Sequence, residues 1–134
     1  MESFSSQNSK PVHEILKILI VDDSSDNRVL IKLFLKGSFH LIDEAENGLE
    51  AAQKSKETYY DLILMDINLP DMNGFEVLEC LRGNPTTSSI PVVAISANAF
   101  QADIERATKA GFKDYITKPV EKERLMQVID QFIS

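Results

Sequence analysis

A chain of 134 residues that is 43% hydrophobic and 26% charged has the material for one globular domain with a real core, and no room for a second. Its net charge of -7 and pI near 4.8 argue against binding nucleic acid or an anionic membrane through the bulk field. No apolar run approaches the roughly eighteen residues of a membrane span, no signal-peptide pattern opens the chain, and the single cysteine, Cys80, excludes an internal disulfide or a cysteine metal cluster, so the chain reads as cytosolic.

The residues before Pro11 are rich in Ser, Gln and Asn with an isolated Phe4, a composition unable to bury enough surface to order itself. Residues 1–14 are expected to form a flexible leader, and residues 15–134 the folded domain. Lys17-Ile18-Leu19-Ile20-Val21 is a β-branched run that stops on Asp22-Asp23, and Asp23-Ser24-Ser25-Asp26 offers capping side chains for a helix over Asn27 to Lys36, closed by Gly37. Phe39 to Glu44 reads as a short strand. Asn47-Gly48-Leu49-Glu50 has the spacing of a capping box and opens a helix to about Glu57.

Leu62-Ile63-Leu64-Met65 is an unbroken apolar run, the pattern of a strand buried on both faces, and it ends abruptly on Asp66. The turn Leu69-Pro70-Asp71-Met72-Asn73-Gly74 leads to a third helix, where Asn73 and Glu76 repeat the cap signature, Phe75, Leu78 and Leu81 point inward, and Cys80 falls in a pattern that predicts a packed thiol. Gly83-Asn84-Pro85 stops it. Ile90 to Ser96 forms a fourth strand, Asp103 to Ala110 a fourth helix with Gly111 after it, and Asp114-Tyr115-Ile116-Thr117 a brief fifth strand. Lys118-Pro119 turns the chain into a closing helix over Glu121 to Phe132, with Leu125, Val128, Ile129 and Phe132 on one stripe.

Strict alternation of strand and helix implies an α/β fold with a parallel sheet, right-handed crossovers and helices on both faces. All strand carboxyl ends then share one edge, where ligands bind in open sheets of this kind. Along it lie Asp22 and Asp23, then Asp66, Ser96 and Lys118. Carboxylates crowded together repel one another unless a cation joins them, and a hard divalent ion with oxygen ligands, Mg²⁺ above all, meets that need. Lys118 supplies a compact positive charge and Ser96 a hydroxyl donor, both suited to an incoming phosphoryl group. The combination points to phosphoryl chemistry on Asp66; an acidic rim that only keeps the edge soluble leaves the agreement of separate strand ends to chance.

Ile20-Val21-Asp22-Asp23, Leu64-Met65-Asp66-Ile67-Asn68-Leu69-Pro70-Asp71-Met72-Asn73-Gly74, Ile95-Ser96-Ala97 and Tyr115-Ile116-Thr117-Lys118-Pro119, in this order and spacing, resemble the receiver domain of the two-component response-regulator family from about Lys17 to Phe132. The resemblance implies a flavodoxin-like, doubly wound, five-stranded parallel sheet of strand order 2-1-3-4-5 with five helices. It also implies that Asp66 accepts a phosphoryl group from a phosphohistidine on a histidine kinase or histidine phosphotransfer protein. Mg²⁺ would be held by Asp23, Asp66 and the backbone carbonyl of Asn68, with Asp22 acting through water. Lys118 would pair with the phosphoryl oxygens and Ser96 donate its hydroxyl to them, while small Ala97 leaves room for the donor. Such a domain is a signalling phosphoacceptor that catalyses only its own phosphorylation and dephosphorylation. The added charge would draw Ser96 and its loop inward, with Tyr115 following, and reshape the fourth helix, fifth strand and fifth helix. Asp22-Asp23-Ser24-Ser25-Asp26-Asn27-Arg28 looks more like receivers of hybrid kinases and phosphorelays than those fused to transcription factors.

Two rivals are weaker on the residues. A phosphatase of the haloacid-dehalogenase type needs an Asp-x-Asp motif after the first strand, and Asp66-Ile67-Asn68 lacks the second acid. A flavodoxin-like cofactor binder needs a hydroxyl- and glycine-rich phosphate loop there, where Asp22-Asp23 would repel a flavin phosphate. The first helix has more apolar residues than one buried face requires. With Ile31, Phe34 and Leu35 toward the core at about 100° per residue, Val29 and Leu33 point away and Leu30 lies near the boundary. Leu30 and Leu33 are therefore expected to form an outward contact stripe beside the cleft that holds Asp66, where the resemblance places the docking helix of the histidine-bearing partner; a homodimer contact or scattered surface apolars would fit the same pattern.

Overall fold

The computed structural model describes residues 15–133, so the leader expected over residues 1–14 lies outside the described residues. The chain alternates β1 (Lys17–Val21), α1 (Ser25–Phe34), β2 (Leu41–Ala45), α2 (Gly48–Glu57), β3 (Leu62–Asp66), α3 (Gly74–Arg82), β4 (Val92–Ser96), α4 (Gln101–Ala110), β5 (Asp114–Thr117) and α5 (Lys122–Asp130). The strands form one five-stranded sheet in the order β2-β1-β3-β4-β5, and every neighbouring pair is parallel. This is the flavodoxin-like order expected from the sequence.

The alternation of side chains along each strand divides the core in two. Ile18, Ile20, Leu62, Leu64, Val93 and Ile95 face α1 and α5, where Ile31, Leu35, Leu125, Val128 and Ile129 cover them. Leu19, Val21, Ile63, Met65, Val92 and Ala94 face the other way, against Ala51, Val77, Leu78, Leu81 and Ala107 of α2, α3 and α4. A central strand packed on both sides has no polar face, which is why β3 is apolar until Asp66, where it emerges at the carboxyl edge.

Several local expectations are corrected. Helix α1 begins earlier than Asn27, because the Ser24 side chain caps it by accepting from the Asn27 N–H. Strand β2 starts at Leu41 rather than Phe39, since Phe39 takes a left-handed φ of 70° that no strand residue adopts. Strand β4 starts at Val92, two residues after Ile90. Helix α4 begins at Gln101, ahead of Asp103, and α5 covers Lys122–Asp130, short of Phe132 at its far end. Cys80 is exposed instead of packed. Buried Val77, Leu78 and Leu81 centre the inward face of α3, and Cys80 falls about 110° around the helix from that centre, past the edge of the stripe.

The caps follow the sequence in one case and shift in the other. Asn73 and Glu76 close a full capping box at α3. At α2 the Asn47 side chain accepts from the Glu50 N–H as expected, but the Glu50 carboxylate accepts from the Glu46 N–H at 2.7 Å, one residue before the position a capping box uses. Among the described residues, no helix is long and apolar enough to cross a membrane.

Candidate functional site

Parallel register brings the acidic strand ends together. Val21 pairs with Met65 in neighbouring β1 and β3, so the following residues, Asp22 and Asp66, emerge side by side. Both are nearly sealed, at 2% and 3% exposure, whereas Asp23 points outward and is exposed. Carboxylate oxygens of these three residues lie within 4.8 Å of one another. Hard oxygen donors from two buried acids and one exposed acid, with solvent on one side, fit a small divalent cation such as Mg²⁺.

Lys118 enters the same place from the end of β5. Its N–H donates to the Ser96 carbonyl at 2.8 Å, which ties the residue to β4, and its Nζ reaches Asp66 Oδ2 at 2.8 Å and Asp22 Oδ2 at 3.3 Å. The other oxygen of Asp66 accepts from the Asn68 N–H at 2.8 Å. Burial pushes the Asp66 carboxyl above the ordinary Asp range, and the hydrogen bonds from Lys118 and Asn68 offset only part of that. Burial works against the Lys118 ammonium too, yet the hydrogen bond and charge of Asp66 with the charge of Asp22 outweigh it and hold Lys118 above its usual value. The two shifts agree physically: the carboxylate is sealed more deeply than the amine, so it suffers more from lost water.

Ser96 and Tyr115 sit on the α4 side. Ser96 is 1% exposed and its Oγ accepts from the Asn98 N–H at 3.1 Å. Tyr115, 7% exposed, already points inward, and its hydroxyl donates to the Asn98 carbonyl at 2.7 Å. The loop after β4 is therefore held from both residues, while Ala97 beside them is exposed.

On the opposite flank, the start of α1 supports the acidic pair. Asp22 Oδ1 accepts from the Ser24 N–H at 2.9 Å and Oδ2 from Asn27 Nδ2 at 3.3 Å. Arg28 donates from Nη1 to the Asp22 carbonyl at 2.6 Å and from Nε to Glu44 of β2 at 2.9 Å, and Lys32 Nζ adds a 2.7 Å contact to the same Glu44. The hydrogen bond from Lys32 leads the effects that hold Glu44 below the usual carboxylate range. Nothing in the spacing of Arg28 and Glu44 marks them as partners; their contact depends on β2 lying beside β1.

Leu33 is 59% and Val29 47% exposed, while Leu30 is half-buried. Leu33, with Val29, lines a groove against Phe39 and Ile42.

A buried carboxylate, two flanking acids, a lysine and a buried hydroxyl meet at one parallel-sheet edge of a flavodoxin-like domain. Residues 18–130 match the family described as the response regulator receiver domain, and the chain belongs to that family. It is 37% identical over 118 residues to the chemotaxis protein CheY of Listeria innocua, covering 87% of this chain and 98% of that one. It is 34% identical over 114 residues to the signal transduction histidine-protein kinase BarA of Escherichia coli, covering 85% of this chain but spanning only 12% of the length of BarA. It also superposes on a crystal structure of the receiver domain of the sensor histidine kinase PA1611 from Pseudomonas aeruginosa PAO1, which has a magnesium ion coordinated in its active site cleft. That match has a TM-score of 0.80 at 29% identity and covers 89% of this chain and 98% of that one.

Proposed function

We propose that this domain accepts a phosphoryl group on Asp66 from the phosphohistidine of a histidine kinase or histidine phosphotransfer protein, and that this change is read by a partner at the face made of α4, β5 and α5. The observation that carries the reading is the pairing of a 3% exposed Asp66 with Lys118 at 2.8 Å beside two further acids. A structural ion pair would not need those acids.

In the transfer, a carboxylate oxygen of Asp66 forms the new bond to phosphorus while the bond from phosphorus to the donor imidazole nitrogen breaks, its electron pair returning to the ring. Asp66 is held for attack by the Asn68 N–H and by Lys118. Lys118 then exchanges Asp66 Oδ2 for a phosphoryl oxygen, and Ser96 Oγ gives up its contact with the Asn98 N–H to donate to another. Asp23, Asp66 and the Asn68 carbonyl would hold Mg²⁺, with Asp22 reached through water. The ion would supply charge neutralisation for the carboxylates and the phosphoryl oxygens. Because Ser96 and Tyr115 both hold Asn98, a pull on Ser96 is felt by the loop into α4. Leu30 and Leu33 would dock the donor, and the cytoplasm is the location that goes with such partners.

Acetyl phosphate with Mg²⁺ should add one phosphoryl group to the protein by mass spectrometry, and Asp66→Asn should abolish it. Labelling that survives the substitution would remove Asp66 from the role. Turnover of a general ester such as p-nitrophenyl phosphate would favour an enzyme instead.

A further inference from the structure

The loop from β3 to α3 carries Asn68 and is held at two separated places. Its inner anchor is on the sheet: the Ile67 N–H donates to the Ile95 carbonyl at 3.0 Å, and the Gly74 N–H returns to the Ile67 carbonyl at 2.7 Å. Its outer anchor is Asp71, whose Oδ1 accepts from the Gly48 N–H and whose Oδ2 accepts from the Leu49 N–H, both at 2.9 Å. Those donors belong to the first turn of α2, 23 and 22 residues earlier in the chain. The helix's own cap, Asn47, serves only the Glu50 N–H beyond them, so Asp71 completes the satisfaction of that helix end from outside.

The approach is close as well as polar. A Cβ on Gly48 would lie 2.4 Å from Met72 Cγ and 2.7 Å from Val77, so the loop and the start of α3 sit directly on the α2 terminus. Asp71 itself faces solvent, where a carboxylate ordinarily has no fixed position. Here each oxygen accepts from α2, and Oδ1 also takes the Met72 N–H of its own loop at 2.9 Å.

Asn68, Leu69 and Pro70 bridge the two anchors, a span too short to shift far while both hold. A backbone carbonyl contributes to metal binding in proportion to how well it is held before the ion arrives. We propose that Asp71 is a positioning residue for the phosphoacceptor site: its carboxylate clamps the loop to α2 and so sets where the Asn68 carbonyl stands relative to Asp66. This rests on the reading of Asp66 and its neighbours as a Mg²⁺-assisted phosphoacceptor site.

The test is calorimetric titration of Mg²⁺ into the whole chain and its Asp71→Ala, Asp71→Asn and Asp23→Ala variants, together with acetyl phosphate labelling. Asp71→Ala should weaken Mg²⁺ binding about tenfold, the lower end of what loss of a ligand-orienting partner costs. Labelling of Asp66 at saturating Mg²⁺ should stay within about twofold of wild type, because Lys118 is untouched and the Asn68 N–H, next to the inner anchor at Ile67, keeps its hold on Asp66. Asp71→Asn keeps one acceptor oxygen and should fall between the two. Wild-type Mg²⁺ affinity in Asp71→Ala alongside a large loss in Asp23→Ala overturns the clamp and leaves the metal site standing. Unchanged affinity in Asp23→Ala overturns the metal reading and the clamp with it. Should Asp71→Ala fail to fold, the isosteric Asp71→Asn decides the question, and wild-type affinity there overturns the proposal.

Discussion

Lys118 Nζ lies 2.8 Å from Asp66 Oδ2 and 3.3 Å from Asp22 Oδ2, so a single ammonium group bridges the carboxyl ends of β3 and β1. It occupies the charge-balancing role that a divalent ion would share. Lys118→Ala should therefore leave Mg²⁺ affinity intact or tighter, since a competing cation is gone, while the metal-free protein loses about 1–3 kcal/mol from leaving a buried carboxylate without its partner. Urea denaturation with and without Mg²⁺ measures this, and most of the loss should return with the ion. The same substitution should uncouple phosphorylation from shape change. Phosphorylation-induced amide shifts matching those of wild type would refute that part.

Leu33 and Val29 are among the most exposed aliphatic side chains of the described fold, on a helix whose opposite side is sealed by Ile31 and Leu35. If Leu30 and Leu33 contact the phosphodonor, Leu30→Ala with Leu33→Ala should slow transfer from the protein donor about tenfold, roughly 1.4 kcal/mol of lost contact. Labelling by acetyl phosphate, which needs no docking surface, should not change. Equal slowing with both donors would assign the stripe to the fold, and no slowing with either would move docking elsewhere.

His40 Nδ1 accepts from the Leu16 N–H at 3.0 Å, a bond that the protonated ring cannot keep. Burial, only partly opposed by the charge of Asp130, holds its pKa below the ordinary 6.5. The unfolded chain therefore takes up a proton near pH 6.5 that the folded chain refuses, so this contribution is complete above that pH and is lost as pH falls through the lower folded value. Denaturation midpoints should drop on acidification below about 6.5, and His40→Gln should flatten that portion of the curve. An unchanged profile in the variant would assign the acid sensitivity to other groups.

The strand ends were legible in the sequence because each is written locally. A both-faces-buried strand is an apolar run, and the residue that stops it is the one at the carboxyl edge, so Asp22, Asp66, Ser96 and Lys118 could be placed on one rim without coordinates. Alternation of strand and helix made the sheet parallel, and the family motifs supplied the strand order that the topology confirms. Helix caps such as Asn73 with Glu76 were equally visible, since their partners lie within one turn.

What the tertiary structure alone decided involves partners far apart in the chain. Asp66 meets Lys118 across 52 residues, Asp71 meets Gly48 across 23, and Arg28 meets Glu44 across 16. Only the first could be anticipated, because both residues end strands. Asp71 sits in an irregular turn and Glu44 mid-strand on β2, where no periodicity signals a partner. The outward position of Cys80, the left-handed turn at Phe39 and the inward Tyr115 hydroxyl on the Asn98 carbonyl belong to the same class. Sequence periodicity reports which face of an element is apolar; how far a covering neighbour reaches around that face, and which backbone groups its loops meet, depends on sheet order and packing.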